Sequence, residues 1–178
     1  MSRRDALTVE ERASASGRIA DVANAMVDER LARGQVLAVY RSKGSEVDTT
    51  AIDVAARAKG LVVAYPRVVS GEQALAFHAV TIDELVPSRF GLREPREDAP
   101  PVEIAHIAAF VIPGLAFDKS GARLGWGMGH YDATLVLAAR EALRIGLAFE
   151  CQVVEHVPHE PHDQLLHVII TEVATHVA

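Results

Sequence analysis

The stretch with most capacity for chemistry runs Asp118-Lys119-Ser120-Gly121-Ala122-Arg123-Leu124-Gly125-Trp126-Gly127-Met128-Gly129-His130-Tyr131-Asp132, with Gly125, Gly127 and Gly129 alternating. Glycine lacks the Cβ that would block a phosphate oxygen or forbid positive φ, so such a loop can aim several backbone N–H groups at an anion. Arg123 adds a fixed positive charge, and Asp132, at the head of a helix-forming segment, is placed to hold magnesium beside phosphates. The spacing is neither the Walker pattern, which ends Gly-Lys-Ser/Thr, nor the dinucleotide fingerprint, whose last two glycines stand three apart. Alternate glycines by themselves more often mark a tight turn, so on spacing alone both readings stand. Trp126, the sole tryptophan, sits in this polar loop and not in an apolar run, where its ring is better placed to stack on a ligand than to fill a core.

Other candidates carry less. His156, His159, His162 and Asp163 are zinc-ligand types, but three-residue spacing aligns ligands only on a helix, and Pro158 and Pro161 oppose one there. A solvated loop is the better account of them. Cys151 reads as a small apolar residue at a strand end. Glu46 and Asp48 are carboxylates in a loop after an apolar run, and from residue type alone they read as solvated charges.

These residues need elements to hold them. Thr8, three residues before Glu11, offers a capping box, and Ile19, Val22, Ala23, Met26 and Leu31 recur at helical spacing up to Gly34. A buried strand is expected at Val36–Tyr40, a helix from Thr49 to Gly60, and a second strand at Leu61–Tyr65, which together make a βαβ unit. Ala74–Val80 reads as a further strand. Thr81–Pro101, rich in Pro, Arg and Glu without a clean period, reads as a long surface loop. The apolar run Ile104–Ile112, ending at Pro113-Gly114, has the character of a central strand that delivers the glycine loop to a sheet edge. A helix over Gly129–Arg144 and strands at Arg144–Phe149 and His167–Thr171 complete an α/β fold. The expectation is one domain over residues 1–178, a mainly parallel, Rossmann-like sheet flanked by helices, with ligands at the carboxyl ends of its strands.

Composition narrows the function classes. At 178 residues the chain suits one domain, and 49% hydrophobic against 24% charged residues supports a packed core over disorder. Eighteen basic against 24 acidic side chains give 18 − 24 = −6, which repels polyanions, and no basic patch appears that would suit nucleic acid. One cysteine excludes an intramolecular disulfide. No apolar run reaches a membrane span, and Met-Ser-Arg-Arg-Asp lacks the apolar stretch of a signal peptide, so a soluble cytoplasmic protein is expected, as a monomer or small homo-oligomer.

Taken together, Pro113-Gly114-Leu115-Ala116-Phe117-Asp118, Gly121, Arg123-Leu124-Gly125, Gly127, Gly129 and Tyr131-Asp132 resemble the signature of the 5-formyltetrahydrofolate cyclo-ligases. Tyr40 through Thr49, Phe90-Gly91-Leu92-Arg93-Glu94-Pro95, Ile145-Gly146-Leu147-Ala148-Phe149 with Gln152, and Pro158 through Asp163 match further blocks in order, so the resemblance runs from about Arg4 to Glu172. It implies an enzyme that uses ATP and Mg2+ to convert 5-formyltetrahydrofolate to 5,10-methenyltetrahydrofolate, releasing ADP and phosphate through a phosphorylated formyl group. Carried over by position, Arg123, Leu124, Gly125, Trp126, Gly127, Met128, Gly129, His130 and Tyr131 would wrap the ATP phosphates. Arg123, Tyr131 and Asp132 would be catalytic, Arg41, Glu46, Trp126 and His130 would meet the folate, and Asp132 and Asp163 would hold the metal. This chain departs from the pattern in three ways. The family's Lys-x-x-Leu-Arg turn, whose lysine contacts ATP, has no counterpart in the residues before Arg4: either the natural start lies upstream of Met1, or Arg3 and Arg4 substitute, or the protein is a weak or altered relative. His130 replaces an aromatic residue against the folate, which predicts pH-dependent folate binding, and Met128 stands where glycine or lysine is usual. A relative that binds folate or nucleotide without turnover is the alternative reading.

Overall fold

The computed structural model describes residues 3–178, the Phe90 side chain apart, so expectations for Met1 and Ser2 lie outside the described residues. Helix α1 (Val9–Arg30) starts on the expected box: the Thr8 hydroxyl accepts from the Glu11 amide at 3.1 Å and the Glu11 carboxylate accepts from the Thr8 amide at 2.8 Å. It ends before Gly34, its capping Leu31 amide donating to the Val27 carbonyl. Ile19, Ala23 and Val27 form its buried stripe. Strand β1 (Val36–Ala38), helix α2 (Thr50–Ala58) and strand β2 (Val62–Arg67) follow, and β1 and β2 pair in parallel, with Leu37 opposite Val63.

Beyond β2 the chain turns back through β3 (Ala76–Ala79), β4 (Val86–Pro87), β5 (Arg93–Glu94) and β6 (Pro101–Val102). The central β7 (Ile107–Ile112) comes next, then the short β8 (Ala116–Asp118) and β9 (Arg123–Leu124), helix α3 (His130–Val136) and β10 (Leu143–Leu147). Strands β11 (Val153–Val154), β12 (Val168–Ile170) and β13 (Thr175–Val177) close it. The main sheet has the order β13-β12-β10-β7-β1-β2-β3-β6. Its inner five strands, β12 to β2, are parallel, and β13, β3 and β6 add antiparallel edges.

Side chains alternate between the two faces as strand geometry requires. Ala109, Val111, Ile145, Val168 and Ile170 pack under α1 and α2, whereas Phe110, Ile112 and Ile169 pack with Phe77, Phe117 and Leu135 on the other side. Both faces of the parallel strands are covered, which is why their sequences read as unbroken apolar runs. The chain winds from β1 to β2 in one direction and from β7 to β12 in the other, so the order reverses between β1 and β7. A crevice opens at the carboxyl ends of strands at such a reversal.

Three expectations are corrected. Residues 81–101 are not one loop: a 3-10 turn (Ile82–Glu84) and the β4–β5 hairpin occupy them, and β6 extends the main sheet through its pairing with β3. The signal was hidden because this pairing is made by two- and four-residue segments too short to show a period. The helix expected over 129–144 stops at Val136, because Leu143 and Arg144 are drawn into register with Ala109 and Phe110 of β7. The run from Ile104 begins as a 3-10 turn, and the strand starts only at Ile107.

Candidate active site

The crevice between β1 and β7 gathers the loops that the sequence marked. After β1, the backbone of Lys43 donates to the Glu46 carboxylate at 2.9 Å. Glu46 faces Arg4 at 3.9 Å, with only 13% of its side chain exposed. Burial raises its pKa above the ordinary carboxylate value, outweighing the Lys43 amide and the charges of Arg4 and Lys43. After β7, Pro113-Gly114 leads into the β8–β9 hairpin, which lifts the glycine loop toward Glu46. Asp118 is the pin of that hairpin. It accepts from the amides of Ser120 (2.9 Å), Ala122 (3.3 Å) and Val157 (2.7 Å) and from the Ser120 hydroxyl. Burial pulls its pKa upward, yet the Ser120, Val157 and Ala122 bonds prevail and hold it below the usual range.

Arg123 is buried to 7% exposure of its side chain and donates to both oxygens of Asp132 at 3.2 and 3.3 Å. Its guanidinium also lies 5.4 Å from the centre of the Tyr131 ring. Burial pushes the Tyr131 phenol well above its usual pKa; the Arg123 charge works against that and Glu46 with it. Burial and the charges of Glu46 and Tyr131 act the same way on Tyr40, whose hydroxyl donates to the Val47 carbonyl at 2.9 Å. Glu46, Tyr40, Tyr131, Arg123 and Asp132 thus form one electrostatically linked row across the crevice.

Gly127 and Gly129 take positive φ, +81° and +65°, and a Cβ on Gly125 would meet the Arg123 guanidinium at 3.0 Å. Among the described residues, the amides of Gly125, Trp126, Gly127, Met128, Gly129 and His130 donate to no protein acceptor. Such a run of unpaired N–H groups beside a fixed arginine suits an anion. The flanking side chains project outward: Trp126 is 75% exposed, Met128 63% and Leu124 50%. His130 lies 2.7 Å by Nδ1 from the Gln73 carbonyl, so Nδ1 carries the proton and Nε2 is left for other partners. A second tie, from the Leu75 amide to the Thr134 hydroxyl at 2.9 Å, fixes the same loop against α3.

Asp132 and Asp163 line one cavity of about 200 Å³ with Gln73, Gly129 and His162. Asp132 also accepts from the Gln164 amide at 3.1 Å, and Asp163 from the Glu160 amide at 2.7 Å. Among the described residues no group of three His, Cys, Asp or Glu side chains could hold a metal ion. Two carboxylates on one cavity therefore fit a divalent cation completed by phosphate oxygens and water, and do not fit a self-sufficient metal site. Arg41 is bound to the Thr50 hydroxyl at 3.2 Å and lies 4.0 Å from Asp48, at the edge of the row. A larger hollow of about 380 Å³ lies at the opposite ends of β1, β7 and β10, between Gln35, His106 and Leu143, and holds no comparable convergence of charge.

Sequence reasoning missed several residues that shape the site. Asp118 and Gln152 lie within matched blocks without an assigned role, yet Gln152 bridges the Gly114 and Leu115 carbonyls at 2.9 and 3.2 Å and also receives the Phe149 amide. Gln73 carried no signal at all, since its loop meets the site only through the fold.

The sequence pattern of the 5-formyltetrahydrofolate cyclo-ligase family matches residues 1–172. A 5-formyltetrahydrofolate cyclo-ligase of Mycolicibacterium smegmatis is 42% identical over 88 residues, 49% of this chain and 45% of the relative. The Escherichia coli K12 enzyme of that name is 37% identical over 90 residues, 49% of this chain and 50% of the relative. These matches span about half the length of the curated relatives. The structure of 5,10-methenyltetrahydrofolate synthetase from Aquifex aeolicus superposes with a TM-score of 0.81 at 26% identity, covering 98% of this chain and 87% of that one. The synthetase from Mycoplasma pneumoniae gives 0.77 at 23% identity over 96% and 92%, which shows the shared fold.

Proposed function

Because the chain belongs to the 5-formyltetrahydrofolate cyclo-ligase family, we propose that it converts 5-formyltetrahydrofolate and ATP into 5,10-methenyltetrahydrofolate, ADP and phosphate, its 178 residues acting as one domain. The observation that carries this reading is the row of amides from Gly125 to His130, unpaired among the described residues, beside the Arg123–Asp132 pair and facing Glu46 across the crevice. Phosphate and pterin need opposite electrostatics, and the two ends of this row supply them.

A formamide oxygen is a poor leaving group. Transfer of the γ-phosphoryl group onto it breaks the terminal P–O bond of ATP and leaves a carbon that the folate N10 can attack. Loss of the N10 proton and departure of phosphate then complete the ring. Such transfer rests on positioning and charge neutralisation, so the loop amides and Arg123 do the main work by holding the phosphates in line. Magnesium held by Asp132 and Asp163 would neutralise phosphate oxygens. Glu46 accepts hydrogen bonds from the N–H edge of the pterin, with Arg41 at the rim, while Trp126 and His130 offer stacking surfaces. Arg123 keeps Tyr131 and Asp132 in one arrangement, so the catalytic groups are set before substrate arrives.

The test is direct. Purified protein with 5-formyltetrahydrofolate, ATP and magnesium should gain the near-ultraviolet absorbance of methenyltetrahydrofolate and release stoichiometric ADP. Tight binding of both substrates without that absorbance would instead identify a binding protein.

A further inference from the structure

We propose that Arg4 is a positioning residue for folate recognition, a clamp that fixes the Glu46 loop against the turn after β7. The proposal rests on the cyclo-ligase reading given above. Arg4 belongs to a polar 3-10 turn (Arg3–Ala6), yet it is only 5% exposed. Its Nε donates to the Ser45 hydroxyl at 3.1 Å, its Nη1 donates to the Gly114 carbonyl at 3.1 Å, and its Nη2 stands 3.9 Å from the Glu46 carboxylate. The Gly114 carbonyl also receives Gln152, and Ser45 donates on to Asp5 of the same turn. One planar group thereby joins the loops that leave β1 and β7, on the two sides of the strand reversal that creates the crevice.

This arrangement answers a question the sequence left open. Arg4 does not offer its guanidinium to a nucleotide phosphate, because its three nitrogens face the Ser45 hydroxyl, the Gly114 carbonyl and the Glu46 carboxylate. Its partner is Glu46, and both side chains are nearly closed to solvent, 7% and 13% exposed, so their interaction is weakly screened. The other charged or titratable groups facing Glu46 are Lys43 from its own loop, Tyr40 from the end of β1 and Tyr131 from α3. Arg4 is the cation among them that comes from a separate element, and so the one that can fix the loop as well as its charge.

A double-mutant cycle tests the clamp. Dissociation constants for 5-formyltetrahydrofolate and for ATP are measured separately, through Trp126 fluorescence, for Arg4→Ala, Arg4→Lys, Glu46→Gln and the double variant Arg4→Ala/Glu46→Gln, with thermal midpoints alongside. Arg4→Ala should weaken folate binding about tenfold and leave ATP binding within about twofold, with partial recovery in Arg4→Lys. In the Glu46→Gln background the same truncation should change folate binding by less than about twofold. Equal loss of ATP affinity, or additive losses in the double variant, overturns the proposal. Should the unaltered protein bind no folate, the cyclo-ligase reading fails, and carbon-13 NMR titration of the Glu46 carboxyl then decides the clamp separately. An upward move of the Glu46 midpoint in Arg4→Ala upholds it, and no change overturns it.

Discussion

At the scale of single residues, the site is built from charges that are each held by at least one protein partner. Arg123 reaches both oxygens of Asp132 through Nη2 while the same planar group lies against the Tyr131 ring, and the compact ammonium of lysine on its shorter reach does not reproduce that double contact. Arg123→Lys should therefore lower turnover by at least about tenfold, and Asp132→Asn by about a hundredfold, with circular dichroism unchanged in both. Near-normal turnover in Asp132→Asn would remove this residue from the chemistry. Asp118 plays a different part, because its bonds run to its own hairpin and to the Val157 amide that packs against it. Asp118→Ala strands the amides of Ser120, Ala122 and Val157 and should cost about 3 kcal/mol in a urea titration. The sign with pH follows from the lowered native pKa. Its contribution is full above the ordinary value of 3.8 and is lost as pH falls through the native value, so unaltered protein should lose stability on acidification more steeply than Asp118→Asn.

Among the elements, the β8–β9 hairpin and its glycines separate structural from functional demands. Gly121 has φ +88°, and a Cβ there would stand 2.4 Å from the Leu166 carbonyl and 2.9 Å from the Ala178 side chain. Gly127 has a similar φ of +81° but open space around it. Gly121→Ala should cost about 3 kcal/mol, the sum of strain and a backbone collision, and lower the thermal midpoint sharply. Gly127→Ala carries strain alone, about 1 kcal/mol. Its larger effect should be on ATP affinity, because it places a methyl group among amides that bond to no protein acceptor among the described residues. Equal thermal midpoints for the two variants would contradict this division.

For the molecule as a whole, the site spans loops from β1 and β7 together with α3, so ligands that bridge them should stabilise the entire fold. ATP and 5-formyltetrahydrofolate, each at a hundred times its dissociation constant, would contribute about 2.7 kcal/mol apiece. For a chain of this size that corresponds to a rise in thermal midpoint of about 5–10 °C per ligand. A shift with ATP but none with the folate would leave nucleotide binding and remove the proposed substrate. None of the described helices is long and apolar enough to cross a membrane.

How much could be read beforehand follows the range of each interaction. The capping box at Thr8, the apolar strands around β7, the βαβ unit and the glycine loop rest on contacts within a few residues or on burial of both sheet faces, and both leave marks in the local pattern. The extent of α3, the pairing of β3 with β6 and the bond from the Val157 amide to Asp118 depend on partners tens of residues away, and the pattern showed none of them. The same holds at the site. Residue types and spacing nominated Arg123 and Asp132, and the family resemblance nominated Glu46, but only the packed sheet, by placing the ends of β1 and β7 side by side, decided that Glu46 faces Tyr131 and that a polar N-terminal arginine lies buried between two loops. Burial of a charge is settled by what surrounds it in space, and linear order carries no measure of that.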